Sequence, residues 1–469
     1  MKILLVASEV APIVKIGGLG DVIGSLPKAL EKLGVNVDVA IPFYPSAKIE
    51  NLKLYKALEL EVPFDNKTNK VEVHKTKLPG SNVDVLLFKS TEYFAQGGAN
   101  AFLNNPSETE MFSFFSRAVV EYIKSQYNTY DLIHCHDWHT GMITHLLQDE
   151  LHRERPATLF TIHNLFYQGK AEVELVRELG FSPGMHPLID YDIMDGDLNL
   201  LYQGITTADF ISTVSENYAE EIKTETFGKD MADALVVRQA KLRGIVNGID
   251  YDFFPRDYDA SNWQAKKSEH KENLQKELGL DVSDKPLFAF VSRLDPGQKG
   301  LDILYVSLPH ILDNGGQFAL LGTGNKEWEE KFTQLAKEPK YKGSVSANVV
   351  FNVDLANRIY CGSDFFFVPS LYEPCGLTQL IAMHYGTPPV VRGVGGLKDT
   401  VKDQVTGLVF DEYSSLALNQ AIDRAFKLFE DKGKYARMVE SDLAADFSWA
   451  KSAQKYVKLY EEIVDSRKD

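Results

Sequence analysis

The sequence predicts an α/β protein of two domains, each a mainly parallel sheet layered with helices. Three observations predict it. The 469 residues exceed what a single hydrophobic core usually serves, which favours two domains. Short β-rich apolar runs alternate with amphipathic segments through most of the chain, the pattern of helices crossing over between parallel strands. The alternation also breaks after residue 243 and restarts near 286.

Taken in order, strands are expected at 2–8, 35–42, 131–136, 157–162 and 210–214, with a helix over 22–34. The turn formers Leu78-Pro79-Gly80-Ser81-Asn82 join a hairpin of strands 71–77 and 83–88. The segment 244–251 carries Asn247-Gly248 and is the candidate crossing, because Gly and Asn tolerate hinge backbone angles. The second half is expected to hold strands at 286–293, 317–321, 348–352, 364–369 and 389–391, with helices at 300–312, 326–337 and 377–385. At 448–468 the residues Trp449, Tyr456, Leu459, Tyr460 and Ile463 form one helical apolar face that must dock somewhere.

With 44% hydrophobic and 25% charged residues, the composition is that of an ordinary globular protein and gives no disordered tract. Fifty Lys and Arg against 66 Asp and Glu leave a net charge of −16, which opposes binding to nucleic acid or anionic lipid. Any phosphate-bearing substrate therefore needs a local basic pocket. The first apolar run is too short for a signal peptide and no stretch suffices for a membrane span, so a cytoplasmic location is expected. Cys135, Cys361 and Cys375 lie far apart without CxxC or His-rich spacing, indicating neither disulfide framework nor zinc site.

The first βα turn reads Val14-Lys15-Ile16-Gly17-Gly18-Leu19-Gly20-Asp21. Glycines there let backbone amides approach a ligand at a helix N-terminus, and Lys15 adds a mobile cation. The string is not GxGxxG, so the dinucleotide fingerprint is absent. His134-Cys135-His136-Asp137-Trp138-His139 ends a strand. A metal site and histidines satisfied within the sheet are both open readings; Asp137 and Trp138 suit a sugar, which needs carboxylate acceptors and an apolar face. Thr161-Ile162-His163-Asn164 and Tyr167-Gln168-Gly169 are further polar strand ends, and His163 is the favoured contact at a reacting centre.

In the second half, Arg293 and Lys299 flank a loop between strand and helix, the place for a diphosphate whose departing charge two cations can balance. Leu321-Gly322-Thr323-Gly324 is a glycine-rich strand end consistent with base or ribose packing. In Pro369-Ser370-Leu371-Tyr372-Glu373-Pro374-Cys375-Gly376-Leu377-Thr378, Glu373 can accept sugar hydroxyl protons, and the amides of Gly376, Leu377 and Thr378 lie where a helix begins. Cys375 has no evident His partner, which favours a small polar wall residue over a nucleophile.

Together, Lys15-x-Gly17-Gly18-Leu19-Gly20-Asp21, His136-Asp137-Trp138-His139, Thr161-Ile162-His163-Asn164, Asn247-Gly248-Ile249-Asp250, Arg293 with Lys299-Gly300, and Glu373-Pro374-Cys375-Gly376-Leu377-Thr378 resemble the bacterial glycogen synthase and plant starch synthase family, in matching order along nearly the whole chain. The resemblance implies the GT-B architecture, two Rossmann-like domains facing across a deep cleft. Residues 1–243 would form the acceptor-side domain, with the helix at 449–469 packing back on it, and 244–448 the donor domain.

It further implies transfer of glucose from ADP-glucose to the non-reducing end of an α-1,4-glucan with retention, without cofactor or metal. A related retaining transferase using UDP-glucose or making another glycoside is the alternative. By the same match, Arg293 and Lys299 stabilise the leaving ADP, Glu373 holds the transferred glucose and His163 lies near the anomeric carbon. Lys15, Gly18, Asp137, Asn247, Gly322, Thr323, Cys375, Gly376, Leu377 and Thr378 serve the donor, and Asp21, Trp138 and Tyr167 the acceptor or sugar side. Two departures stand out: Lys299 follows Arg293 by six positions where the family usually has five, and Ile381 stands where wider relatives carry a second Glu.

Overall fold

The computed structural model describes residues 1–94, 107–182 and 184–468. They form two compact units, Met1–Gly248 with the C-terminal segment from Trp449, and Ile249–Ser448.

Among the described residues, the first unit is organised on a nine-stranded sheet. In spatial order its strands are Leu242–Gly244, Phe210–Thr213, Ala157–Ile162, Leu132–His136, Lys2–Val6, Asn36–Pro42, Asp84–Lys89, Lys67–Lys77 and Tyr55–Phe64. Neighbours are parallel as far as Asp84–Lys89, and the last two strands add antiparallel to that edge. The fully buried runs Leu132–His136 and Ala157–Ile162 show why parallel strands read as continuous apolar segments. The expected hairpin is present, lengthened to Lys67–Lys77 and Asp84–Lys89. Strand Tyr55–Phe64 was not expected, although Leu60, Val62 and Phe64 alternate inward with exposed Glu59, Glu61 and Pro63. The helix Trp449–Asp465 belongs to this unit and buries Trp449, Tyr456, Leu459, Tyr460 and Ile463. Ser452 Oγ donates to Val246 O at 2.7 Å, and Arg243 pairs with Glu462 at 2.7 Å. Residue 469, the last of the expected helix, lies outside the described residues.

The second unit holds a six-stranded, all-parallel sheet in the order Val345–Asn348, Gln317–Leu321, Leu287–Val291, Phe365–Val368, Pro389–Arg392 and Leu408–Phe410. The strand expected at 348–352 instead ends at Asn348, and the following Val350 and Phe351 are 44% and 81% exposed. The apolar run was mistaken for the strand because the true strand, Val345-Ser346-Ala347-Asn348, is half polar. No helix among the described residues is long and apolar enough to cross a membrane.

In each unit the first strand has parallel neighbours on both sides, and the chain reverses direction across it. Lys2–Val6 lies between Asn36–Pro42 and Leu132–His136, and Leu287–Val291 lies between Gln317–Leu321 and Phe365–Val368. Such switch points open a crevice at the carboxyl ends of the strands.

A buried ion pair holds the second sheet in place. Asp364 Oδ2 accepts from Lys271 Nζ at 2.6 Å and from Leu287 N at 2.7 Å, and both side chains are 11% exposed. Asp364→Ala leaves the ammonium without its carboxylate and is expected to destabilise the second unit by about 3–5 kcal/mol. Hydrogen exchange under mild urea checks this: protection should fall within 249–448 and hold in the first unit. Equal loss in both would show that the pair's effect is not local.

Candidate active site

In the first unit, the loop after strand Lys2–Val6 is built around a residue that motif reading passed over. Glu9 is 4% exposed, and its carboxylate accepts from the backbone N–H of Ile16 and, at 3.0 Å, of Gly17. The glycine turn expected to offer these amides to a phosphate has therefore already given them to an internal anion. Burial raises the Glu9 carboxyl above its ordinary range, and the backbone donors of Ile16, Gly17 and Gly20 oppose that shift.

The glycines of this turn divide into two kinds. A Cβ on Gly20 would meet Glu9 Oε2 at 2.8 Å, whereas one on Gly18 would meet nothing within 4 Å. Gly20 is needed by the fold; Gly18 is exposed and leaves room for a ligand to approach its backbone. Helix Gly18–Lys32 starts here, four residues before its expected beginning. Lys15 and Asp21, both candidates, pair at 2.6 Å on the loop's surface.

The neighbouring strand end holds Asp137 with φ 57° and ψ 177°, backbone angles normally reserved for glycine. The strain aims its carboxylate at the next strand end, where Oδ1 accepts from His163 N at 2.7 Å. Burial raises the Asp137 carboxyl to about 7, backbone donation from His163 and Asn164 lowers it, and the charge of Glu9 raises it further.

The histidines form an internal network. His163 Nε2 meets His136 Nδ1 at 2.9 Å, while His134 bonds Tyr460 Oη at 2.9 Å and Thr161 Oγ1 at 2.6 Å. Burial lowers His163 and His139 to about 3 and holds His134 and His136 well below the usual imidazole range. These rings are neutral near pH 7. The described residues contain no cluster of three or more His, Cys, Asp or Glu placed to hold a metal ion.

Trp138 departs from the sequence reading. It is 8% exposed, stacked on His139 at 4.1 Å, and so close to Gly169 that a Cβ there would lie 2.2 Å from the indole. It supports the loop rather than offering an open face to a sugar. Tyr167, 51% exposed, does offer its ring. Asn247 is 5% exposed, and its buried Oδ1 has no hydrogen-bond partner among the described residues.

In the second unit, the switch point brings the two best sequence candidates together. Lys299 Nζ lies 2.8 Å from Glu373 Oε2, and Ser370 Oγ donates to the same oxygen at 2.9 Å. The extra residue between Arg293 and Lys299 is taken up in a turn closed by Asp295, whose carbonyl accepts from Lys299 N at 2.9 Å. The longer loop therefore still delivers Lys299 to Glu373. Arg293 stays 64% exposed, 3.9 Å from Asp295.

Gly322 and Thr323 flank this loop: Thr323 O accepts from Leu294 N at 2.9 Å, and a Cβ on Gly322 would strike Ser292 O at 1.9 Å. Cys375 is buried, and Gly376 turns with φ 73°. Helix Thr378–His384 follows, with its first bond from Ile381 N to Leu377 O, so the amides of its opening turn have no intrahelical acceptor. Gln379, also missed, is fully buried and clamps the turn through Cys375 O at 3.1 Å and Gly376 O at 2.7 Å.

The starch synthase catalytic domain model matches residues 2–237, and the glycosyl transferases group 1 model matches 271–441. A glycogen synthase of Kosmotoga olearia is 40% identical over 483 aligned residues, covering 100% of this chain and 99% of that one. The chain belongs to the glycogen and starch synthase family. A second glycogen synthase, from Geotalea daltonii, is also 40% identical over 98% of each chain. The solved catalytic domain of starch synthase IV from Arabidopsis thaliana, bound to ADP and acarbose, superposes with a TM-score of 0.88 at 32% identity over 99% of each chain. The protein is thus a glycosyltransferase with the GT-B fold of two Rossmann-like domains, as the sequence predicts. A sucrose-phosphate synthase from Thermosynechococcus elongatus, 20% identical with a TM-score of 0.65, shares the fold.

Glu9→Ala removes the acceptor of the Ile16 and Gly17 amides, so hydrogen exchange in 15–20 should rise and activity fall by roughly tenfold or more, the scale for misplacing a positioned group; unchanged exchange would show that the loop holds itself. Asp137→Asn keeps an acceptor for His163 N without burying a charge. A carboxyl raised in the folded state is protonated there while ionised in the unfolded chain between pH 4 and 7, so the wild type loses stability as pH rises through that window. The variant should therefore gain on the wild type by about 2–3 kcal/mol between pH 5 and 8, read from urea denaturation at the two pH values. A constant difference would place the Asp137 titration elsewhere.

Proposed function

We propose that this glycosyltransferase extends an α-1,4-glucan by transferring glucose from ADP-glucose to the 4-hydroxyl at a non-reducing end, with retention of configuration. The observation that carries the reading is the Lys299–Glu373 pair at the second unit's switch point, beside the start of helix Thr378–His384. A cation and helix-start amides without an intrahelical acceptor suit a diphosphate, and a carboxylate beside them suits the hydroxyls of the attached hexose. The Arabidopsis relative, bound to ADP and acarbose, supports both halves of that assignment.

In the proposed reaction, the bond between the glucosyl anomeric carbon and the β-phosphate oxygen breaks, and the acceptor oxygen attacks from the same face. The acceptor proton passes to the departing diphosphate. Arg293 and Lys299 balance the charge growing on ADP, so electrostatic stabilisation comes from side chains and the reaction is proposed to need no metal or cofactor. Glu373, held by Ser370 and Lys299, positions the hexose. His163, a neutral ring whose backbone N–H is fixed by Asp137, serves the anomeric centre as a hydrogen-bonding group and not as a cation. Lys15, Gly18 and Asn247 are proposed to serve the donor, and Asp21 and Tyr167 the acceptor or sugar side.

The test is radiolabelled glucose incorporation into glycogen from ADP-glucose and UDP-glucose, with and without a chelator. Incorporation from ADP-glucose, undiminished by chelation, is expected. Glu373→Ala should lower turnover by about two orders of magnitude or more with the fold retained. Transfer from UDP-glucose alone, or from neither donor, would overturn the assignment.

A further inference from the structure

At the opposite edge of the first unit's sheet, where its strands begin, lies a recess of about 620 Å³ that the reaction does not use. It is lined by basic residues in a chain whose net charge is −16. Arg155 and Arg467 converge on Asp209, Arg155 through two bonds of 2.7 Å and Arg467 through one of 3.3 Å. Arg467 also donates to the carbonyls of Arg153 and Arg155 at 3.1 and 3.2 Å, which fixes its guanidinium against the wall. Arg238 donates to Ala208 O and, at 3.3 Å, to Asp209 O, while its Nε is buried without a hydrogen-bond partner among the described residues. Lys241 lies 4.1 Å from the Phe210 ring centroid, and Arg153 stands exposed at the rim.

A plain structural reason for cations here is the end of four helices, Gly141–Leu151, Leu200–Thr207, Ala232–Val237 and Trp449–Asp465, whose C-terminal ends or following residues line the recess. Magnitude decides between the readings. Each helix end is worth roughly half a negative charge, about two for all four. Among the described residues, five of the lining cations face Asp209 alone, and the sixth, Lys468, is paired with Asp465 at 2.8 Å. After Asp209 and the helix ends are counted, about two positive charges of the described residues remain unbalanced.

We propose that this recess is an anion site for a phosphate dianion, free or as the phosphomonoester of a small metabolite, separate from the donor residues of the second unit. The surplus matches a dianion better than a carboxylate. The guanidinium groups already held by Asp209 and the backbone carbonyls are preorganised for tetrahedral oxyanion oxygens. The volume accommodates a metabolite beyond its phosphate.

The test is calorimetric titration of the full chain with inorganic phosphate and, separately, with a hexose phosphate, against chloride at matched ionic strength. Two variants are compared. Arg153→Gln with Lys241→Gln leaves the Arg155 and Arg467 bonds to Asp209 in place and gives up only the contact of Lys241 with the Phe210 ring; Arg293→Ala with Lys299→Ala removes the donor-side cations. Binding should weaken by roughly tenfold or more in the first and persist in the second. Tighter binding of the hexose phosphate would identify the ester as occupant, and equal binding the free ion. No heat with either phosphate, an equal response to chloride, or loss only in the donor-side variant would overturn the site.

Discussion

Parallel strand pairing is the constraint on which the rest of this structure depends. Because the seven strands from Leu242–Gly244 to Asp84–Lys89 and all six strands of the second sheet run the same way, each sheet has one edge of strand beginnings and one of strand ends. Each of these strands then delivers the loop that follows it to the same edge, and every crossover helix returns the chain to the other. The turn at Lys15, the Asp137 elbow and His163 share one such edge, and Arg293, Thr323 and Glu373 share the other, although they lie far apart in sequence. The basic recess sits at the edge of beginnings, where the helices end and cations are favoured.

The two candidate edges solve opposite electrostatic problems. In the second unit the carboxylate of Glu373 is buried against Lys299, so charge is compensated before any substrate arrives. In the first unit the edge holds two buried carboxyls, Glu9 and Asp137, each raised by desolvation and satisfied by backbone amides. The surrounding histidines are kept neutral by burial. An edge of acceptors and neutral rings suits hydroxyl groups, whereas the second edge, which pairs its cations with carboxylates beside the start of a helix, suits a phosphate joined to a sugar.

Much of this was legible in the sequence because it rests on local patterns. The strand ends at His136, Ile162 and Val368 are marked by apolar runs breaking into polar residues, and the glycine turns and Glu373 string follow directly. What escaped depends on contacts between distant segments. Glu9 is one acidic residue at a strand end, and only the fold shows that it lies under amides seven and eight residues on. Trp138 looked like a sugar platform because its burial is decided by Gly169, and Gln379 looked like an ordinary helix residue until its bonds to Cys375 O and Gly376 O were in view. Strand Tyr55–Phe64 carried its period-two signal openly and could have been read.

The strain at Asp137 shows how the first unit holds a geometry that its local sequence disfavours. A non-glycine residue at φ 57° and a buried carboxyl are each destabilising, and they persist only where the surroundings over-determine them. Here the surroundings are identifiable. Thr140 Oγ1 donates to His136 O and Asp137 O at 3.0 and 3.1 Å, and the amides of His163 and Asn164 fix the carboxylate. Behind the elbow, Tyr460 of the C-terminal helix bonds His134, whose ring packs on His136 at 4.0 Å. The helix Trp449–Asp465 is therefore part of the support for a strained strand end more than 300 residues earlier, which gives a physical reason for the C-terminal segment to return to the first unit.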